Sequence, residues 1–158
     1  MDKYIKRFSK LIFFSGTFNI VLAFPLIFPL FYEKYFQLLW RVNQFLNLGG
    51  KEFIPPKEGI NALLINTAGI DLVLIGIIVF YAGFDPVQRR FIPMVNAIGR
   101  ALFAVIVVYY CIVFDIARLV LFIGAIDVLI SAGFCYYLIK LKKRIVLSAG
   151  NKGQDLNF

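Results

Sequence analysis

Apolar residues in this chain gather into four long runs, roughly Leu11–Phe31, Gly59–Gly83, Ile92–Phe114 and Arg118–Ile139. A helix needs about 20 residues, at about 1.5 Å of rise each, to cross a hydrocarbon core, and each run is long enough. Polar and helix-breaking residues mark their limits. Pro55-Pro56 precedes the second run and Asp85-Pro86 stops it, while Pro93 sits where a first-turn proline is tolerated in the third. Pro25 and Pro29 are expected to kink or end the first helix near its far mouth.

The longest connection, Tyr32 to Glu58, has a pattern of its own. Tyr32, Tyr35, Phe36, Leu39, Val42 and Leu46 recur at helical spacing, and Glu33, Gln37, Arg41 and Gln44 form the opposite polar stripe until Gly49-Gly50. This predicts an amphipathic helix over about residues 32–48 lying at the membrane interface. Trp40, Tyr32 and Tyr35 suit the headgroup level there, beside Arg41. The expected fold is an all-α membrane protein, a four-transmembrane-helix bundle plus this interfacial helix, in a single domain spanning residues 1–158.

Composition agrees with a membrane class. Of 158 residues, 61% are hydrophobic and only 16% charged, far from an ordinary soluble domain, and four spans leave no length for a separate catalytic domain. The first run follows Lys3, Lys6, Arg7 and Lys10 as a signal peptide would, yet it is longer than a usual signal core and lacks a small-residue cleavage pattern; it is expected to be retained.

The net charge of +8 becomes informative once the spans are placed. With the N-terminus inside, the inner segments hold eleven Lys and Arg: Lys3, Lys6, Arg7, Lys10, Arg89, Arg90, Lys140, Lys142, Lys143, Arg144 and Lys152. Five lie outside: Lys34, Arg41, Lys51, Lys57 and Arg118. The positive-inside rule then predicts both termini in the cytoplasm. The same basic ends face anionic lipid, which makes membrane lipids, rather than nucleic acid, the expected partners.

Ionisable groups at membrane depth are the main functional pointers, because leaving one unpaired costs at least about 2.5 kcal/mol. Asp71, Arg100 and Asp127 lie near the middle of their spans, and Asn19 adds a polar group at comparable depth in the first. A small residue stands three positions before each: Gly16, Ala68, Ala97 and Gly124. A second polar residue stands four away: Ser15, Thr67, Asn96 and Ser131. These four stripes are expected to converge on the bundle axis, with the second residues forming an outer layer around the first. One arginine between two aspartates leaves a surplus negative charge, so the layer reads either as packing glue or as a site for a proton, cation or polar headgroup. The second and fourth spans share Ile70-Asp71-Leu72-Val73 against Ile126-Asp127-Val128-Leu129, which allows a repeat of two hairpins.

Other chemistry is thinly represented. The chain has no histidine, and its two cysteines, Cys111 and Cys135, fall near opposite ends of neighbouring helices, too far apart for a disulfide; no metal site or cofactor is expected. Ser15, Ser131 and Ser148 have no histidine to activate them, and no phosphate loop or dinucleotide fingerprint is present.

The stretches FSGTFNIVLAFPLIFP, AGIDLVLIG, NAIGRAL and GAIDVLISAG, in this order over about Phe8 to Lys143, resemble the DoxX-like group of small bacterial four-helix membrane proteins. The resemblance mainly implies a bacterial inner membrane; some members of the group resemble subunits of quinone-linked sulfur oxidation enzymes. It carries no catalytic residue across. The related four-helix sterol-isomerase architecture is disfavoured by the missing histidine and by Arg100. The expected function is therefore non-enzymatic: an accessory subunit of a membrane complex, or a binder of a lipid- or quinone-like ligand around Asn19, Asp71, Arg100 and Asp127, with other membrane subunits or a homo-oligomer as partners. The alternative is a proton- or ion-coupled transporter or channel working as an oligomer. A membrane enzyme using Asp71 or Asp127 ranks third.

Overall fold

The computed structural model describes residues 3–52, 54–56 and 58–154, with side chains described as far as Lys143. Lys57 therefore lies outside the described residues, as do the side chains of Arg144, Ser148 and Lys152. Among the described residues the chain folds into five helices without a strand: α1 (Lys3–Ala23), α2 (Tyr32–Phe45), α3 (Gly59–Ala82), α4 (Phe91–Val113) and α5 (Leu119–Gln154). Among the described residues four stretches are long and apolar enough to cross a membrane: Lys3–Ile27, Gly59–Ala82, Phe91–Val113 and Leu119–Lys143.

The prolines after α1 act as their chemistry requires. The α-helix gives way at Ala23 to a short 3₁₀ helix, Phe24–Ile27, with a proline in its first turn. Three residues beyond Leu26 stands Pro29, which has no N–H to offer the Leu26 carbonyl. Asn66 of α3 fills that gap, its Nδ2 donating to Leu26 O at 2.7 Å.

The four long helices form two close antiparallel pairs, α1 with α3 and α4 with α5, with fewer contacts between the pairs. The α1–α3 pair meets backbone to backbone. A Cβ added at Gly16 would stand 2.6 Å from Phe80 N and 2.7 Å from Gly76 O, and one at Gly76 would stand 3.0 Å from Gly16 O. Only glycine permits this approach, the usual route to affinity between apolar helices where lipid is as apolar as leucine. Gly69 packs against Leu26 and Gly83 against Phe13, so glycines spaced two turns apart define one face of α3.

Between the pairs, the end bearing the N-terminus is closed by rings. Phe8 stacks on Tyr137 with centroids 5.3 Å apart and meets Phe134 edge-on at 6.2 Å. Phe8, Ile12, Val79, Ala82, Ala97, Ile130 and Phe134 make up much of the buried core.

The opposite end carries α2. Its inward face is Tyr32, Tyr35, Phe36, Leu39, Trp40 and Asn43, spaced as one helical stripe. This agrees with the expected amphipathic pattern up to Leu39 and then departs from it. Val42 and Leu46 are exposed, because Asn43 turns in with 1% of its surface accessible. The reason is a hydrogen-bond demand. Asn43 Nδ2 donates to Gly49 O at 3.0 Å and its Oδ1 accepts from Leu119 N at 2.9 Å, supplying the orphan N–H at the start of α5. Tyr32 OH donates to Pro56 O at 3.1 Å. The α2–α3 connection is further tied to the α4–α5 turn, with Lys51 N donating to Asp115 O at 2.6 Å and Arg118 N to Gly49 O at 3.3 Å. Gly50, at φ +88°, faces the Ile116 carbonyl so closely that a Cβ would collide with it.

Candidate functional site

The mid-depth polar layer is organised by Arg100, which keeps 5% of its surface accessible. On α4 the inward residues Ala97, Arg100, Ala104 and Val107 follow helical spacing, and the alanines on either side leave room for a guanidinium between three helices. Arg100 Nη1 donates to Asp127 Oδ1 of α5 in a buried ion pair. Its Nη2 faces α1, donating to Ser15 O at 3.0 Å, Ser15 Oγ at 2.9 Å and Asn19 Oδ1 at 2.6 Å. Its Nε donates to Asn96 Oδ1 at 2.9 Å, one turn earlier on α4. Ser15 Oγ closes the ring by donating to the same Asn96 oxygen at 3.2 Å. The Phe18 ring lies below the guanidinium, 5.8 Å from its centre.

Ser131 is one turn beyond Asp127 on α5, and its hydroxyl donates to Ala97 O at 2.9 Å. Six of the eight residues read from the sequence as the polar layer are thus gathered: Ser15, Asn19, Asn96, Arg100, Asp127 and Ser131. The layer satisfies itself. No buried side-chain nitrogen or oxygen among the described residues lacks a hydrogen-bond partner. A guanidinium has donors only, and here its nitrogens face a carboxylate, two amide oxygens, a hydroxyl and a backbone carbonyl.

Asp71 and Thr67 are not part of this layer. Both are exposed on α3, and Thr67 Oγ1 donates to Leu63 O of its own helix at 2.9 Å. The expected convergence of four stripes is corrected to three. The cause is the glycine face: α3 turns Gly69, Gly76 and Gly83 toward α1, and at about 100° per residue Asp71 lies some 200° around from Gly69. Close backbone approach set the rotation of α3 and carried the acid to the far side. The surplus negative charge expected inside the bundle is consequently absent from the layer, which holds one arginine and one aspartate. The likeness between the second and fourth spans does not extend to environment, since Asp127 is buried and Asp71 exposed.

The interfacial candidates also separate. Tyr32 is buried, Tyr35 and Trp40 are half-buried against the bundle, and Arg41 is exposed on the opposite face. Burial raises the Tyr35 phenol above its usual value. Cys111 and Cys135 are both free. A groove of about 530 Å³ between α4 and α5 is lined by alanines and valines of both helices together with Ser131 and Cys135. With the Ser131 hydroxyl turned inward to Ala97, this groove offers lipid an apolar wall.

Polar residues outside the expected set also do structural work, Asn43 and Asn66 among them. These two had a readable signal. Asn43 is a polar residue in line with the apolar stripe of α2, eleven residues after Tyr32, and Asn66 is an amide within an apolar span opposite a proline-broken helix. No family model, curated protein or solved structure matches the chain.

Proposed function

We propose that the chain is a non-enzymatic accessory subunit of a membrane complex. The observation that carries this reading is the contrast between the two mid-span acids. Asp127 is buried and paired with Arg100, whereas Asp71 stands halfway along α3, exposed and without an ion pair among the described residues. A carboxyl at the middle of a lipid-facing span costs about 2.5–3.5 kcal/mol, which a covering partner relieves. A proton- or ion-coupled pathway needs a titrating surplus acid inside the bundle. A lipid- or quinone-like ligand needs access to Arg100 or Asp127, and neither lines the α4–α5 groove. The closed Arg100 network supports the subunit reading over both.

The finer placement belongs to the same proposal. Eleven inner against five outer Lys and Arg support cytoplasmic termini, and the α2 end, with Trp40 and Arg41, is then the outer interface. The resemblance to DoxX-like proteins supports a bacterial inner membrane. Extraction of the native membrane into polymer-bounded lipid discs, followed by mass measurement of the particle, tests the reading. The expected particle contains a second polypeptide in fixed ratio to the 18.0 kDa chain. A solitary chain in every disc would contradict it.

A further inference from the structure

A seven-residue repeat runs along an exposed face of α3. Ile60, Leu64, Thr67, Asp71, Leu74 and Ile78 are separated alternately by four and three positions, and all six are exposed; Tyr81, next in the series, lies under Arg89 and ends the stripe. That alternation is the spacing by which one helix seats its side chains between those of another at a shallow crossing angle. Isoleucine and leucine occupy both flanks, and the two polar groups are together at the centre. Asp71 has no hydrogen bond or ion pair within the chain among the described residues.

The chemistry of the centre is one-sided. The Thr67 hydroxyl already gives its only proton to Leu63 O, so it presents lone pairs alone, and one turn on the Asp71 carboxylate also accepts. Two acceptors one helical turn apart match a group that has donors and no acceptor: an ammonium or a guanidinium. Opposite charge at this depth relieves both ions at once, since neither can reach water from the middle of a span about 36 Å long.

A second copy does not supply that group. Among the described residues, the other Lys and Arg of the four spans stand at span ends and Arg100 alone lies at mid-span, where it is buried and bonded to Ser15, Asn19, Asn96 and Asp127. Two copies meeting through this face about a two-fold axis would set carboxyl against carboxyl.

We infer that the Thr67–Asp71 stripe of α3 is the docking face for a transmembrane helix of another protein carrying a lysine or arginine at mid-membrane. The inference deepens the subunit reading and rests on it.

The direct test uses a Leu/Ala-rich transmembrane peptide of about 25 residues with one central lysine, and an otherwise identical peptide with leucine there. Energy transfer from the labelled full chain to labelled peptide is measured in phosphatidylcholine vesicles at increasing dilution into lipid. The lysine peptide is expected to associate saturably and the leucine peptide not to. Asp71→Leu should weaken the association by about tenfold, and Thr67→Val by a smaller factor. Both residues are exposed, so neither change disturbs the described core, and far-ultraviolet circular dichroism verifies folding. Equal transfer from both peptides, or an unchanged affinity for Asp71→Leu, would overturn the inference. So would self-association of the chain that Asp71→Leu abolishes, because the occupant would then be a second copy. The native-disc measurement repeated on Asp71→Leu separates the two levels. A companion polypeptide retained at its original ratio would overturn the basic-helix inference while leaving the subunit reading standing, and its release would support the inference.

Discussion

Removing Arg100 should do more harm than removing Arg100 and Asp127 together. Arg100→Leu leaves the Asp127 carboxylate, at 8% side-chain exposure, and the Asn19 and Asn96 amide oxygens facing a hydrocarbon side chain. The stranded carboxylate alone costs about 2.5–3.5 kcal/mol on insertion scales. Arg100 also gives up its bonds to α1 and α5, at about 0.6 kcal/mol for each polar contact of this kind between membrane helices. The single change should therefore destabilise by about 5–6 kcal/mol, at or just above the roughly 3–5 kcal/mol typical of breaking a buried pair. Arg100→Leu with Asp127→Leu loses the same bonds but strands no ion, so about 3 kcal/mol of the loss should return. The measurement is reversible unfolding in mixed micelles with rising SDS fraction, followed through the sole tryptophan, Trp40. A double variant as unstable as the single one would refute the reasoning, since the cost would then lie in the arginine's packing and not in the abandoned acid.

Other consequences follow from the same contacts. Gly16→Ala should push α1 and α3 apart, because its Cβ meets backbone and not a side-chain tip, and should lower stability in the SDS assay; Gly99→Ala, with nothing within 4 Å, should gain up to about 1 kcal/mol from helix propensity. Asn43→Ala should cost about 1–2 kcal/mol and speed hydrogen exchange at the Leu119 amide, while Asn43→Asp should retain the Leu119 protection by keeping the acceptor. Tyr35 holds its proton more tightly in the folded state, so the unfolded chain ionises first. The α2 contribution should be intact below about pH 10 and should fall as pH rises further; ultraviolet absorbance titration should show a late-ionising component that Tyr35→Phe removes.

The sequence was most legible where a signal depends on length and periodicity. The four spans, the break after Ala23 and the helical character of the 32–45 segment all follow from apolar runs, prolines and 3.6-residue spacing. Helix rotation was harder to read. In α1, α4 and α5 the polar residue and its small neighbour share the face that packs, so composition and packing point the same way. In α3 they compete. Ala68 and Asp71 imitate the stripe of the other helices, but Gly69, Gly76 and Gly83 allow an approach that alanine does not, and the closer contact decided the face. The end-to-end ties were not readable from local pattern, because Asn43 serves Leu119 across 76 residues and Asn66 serves Leu26 across 40. Such bonds depend on which backbone groups the tertiary fold leaves unpaired.

The polar layer and the outward acid answer different physical needs. Arg100 ties α1 to the α4–α5 pair at mid-depth through bonds that name one depth and one rotation for each helix. Asp71 contributes nothing to that internal order.

The most direct test of the account is a photo-reactive amino acid placed at Leu74, one turn from Asp71 on the exposed stripe of α3, with Leu102 on the exposed side of α4 as its counterpart. Illumination in the native membrane should yield a discrete adduct with another polypeptide from position 74, none from position 102, and none from position 74 when Asp71→Leu is added. Equal adducts from both positions, or an adduct at 74 indifferent to Asp71, would contradict the claim that this acid marks where the chain joins its partner.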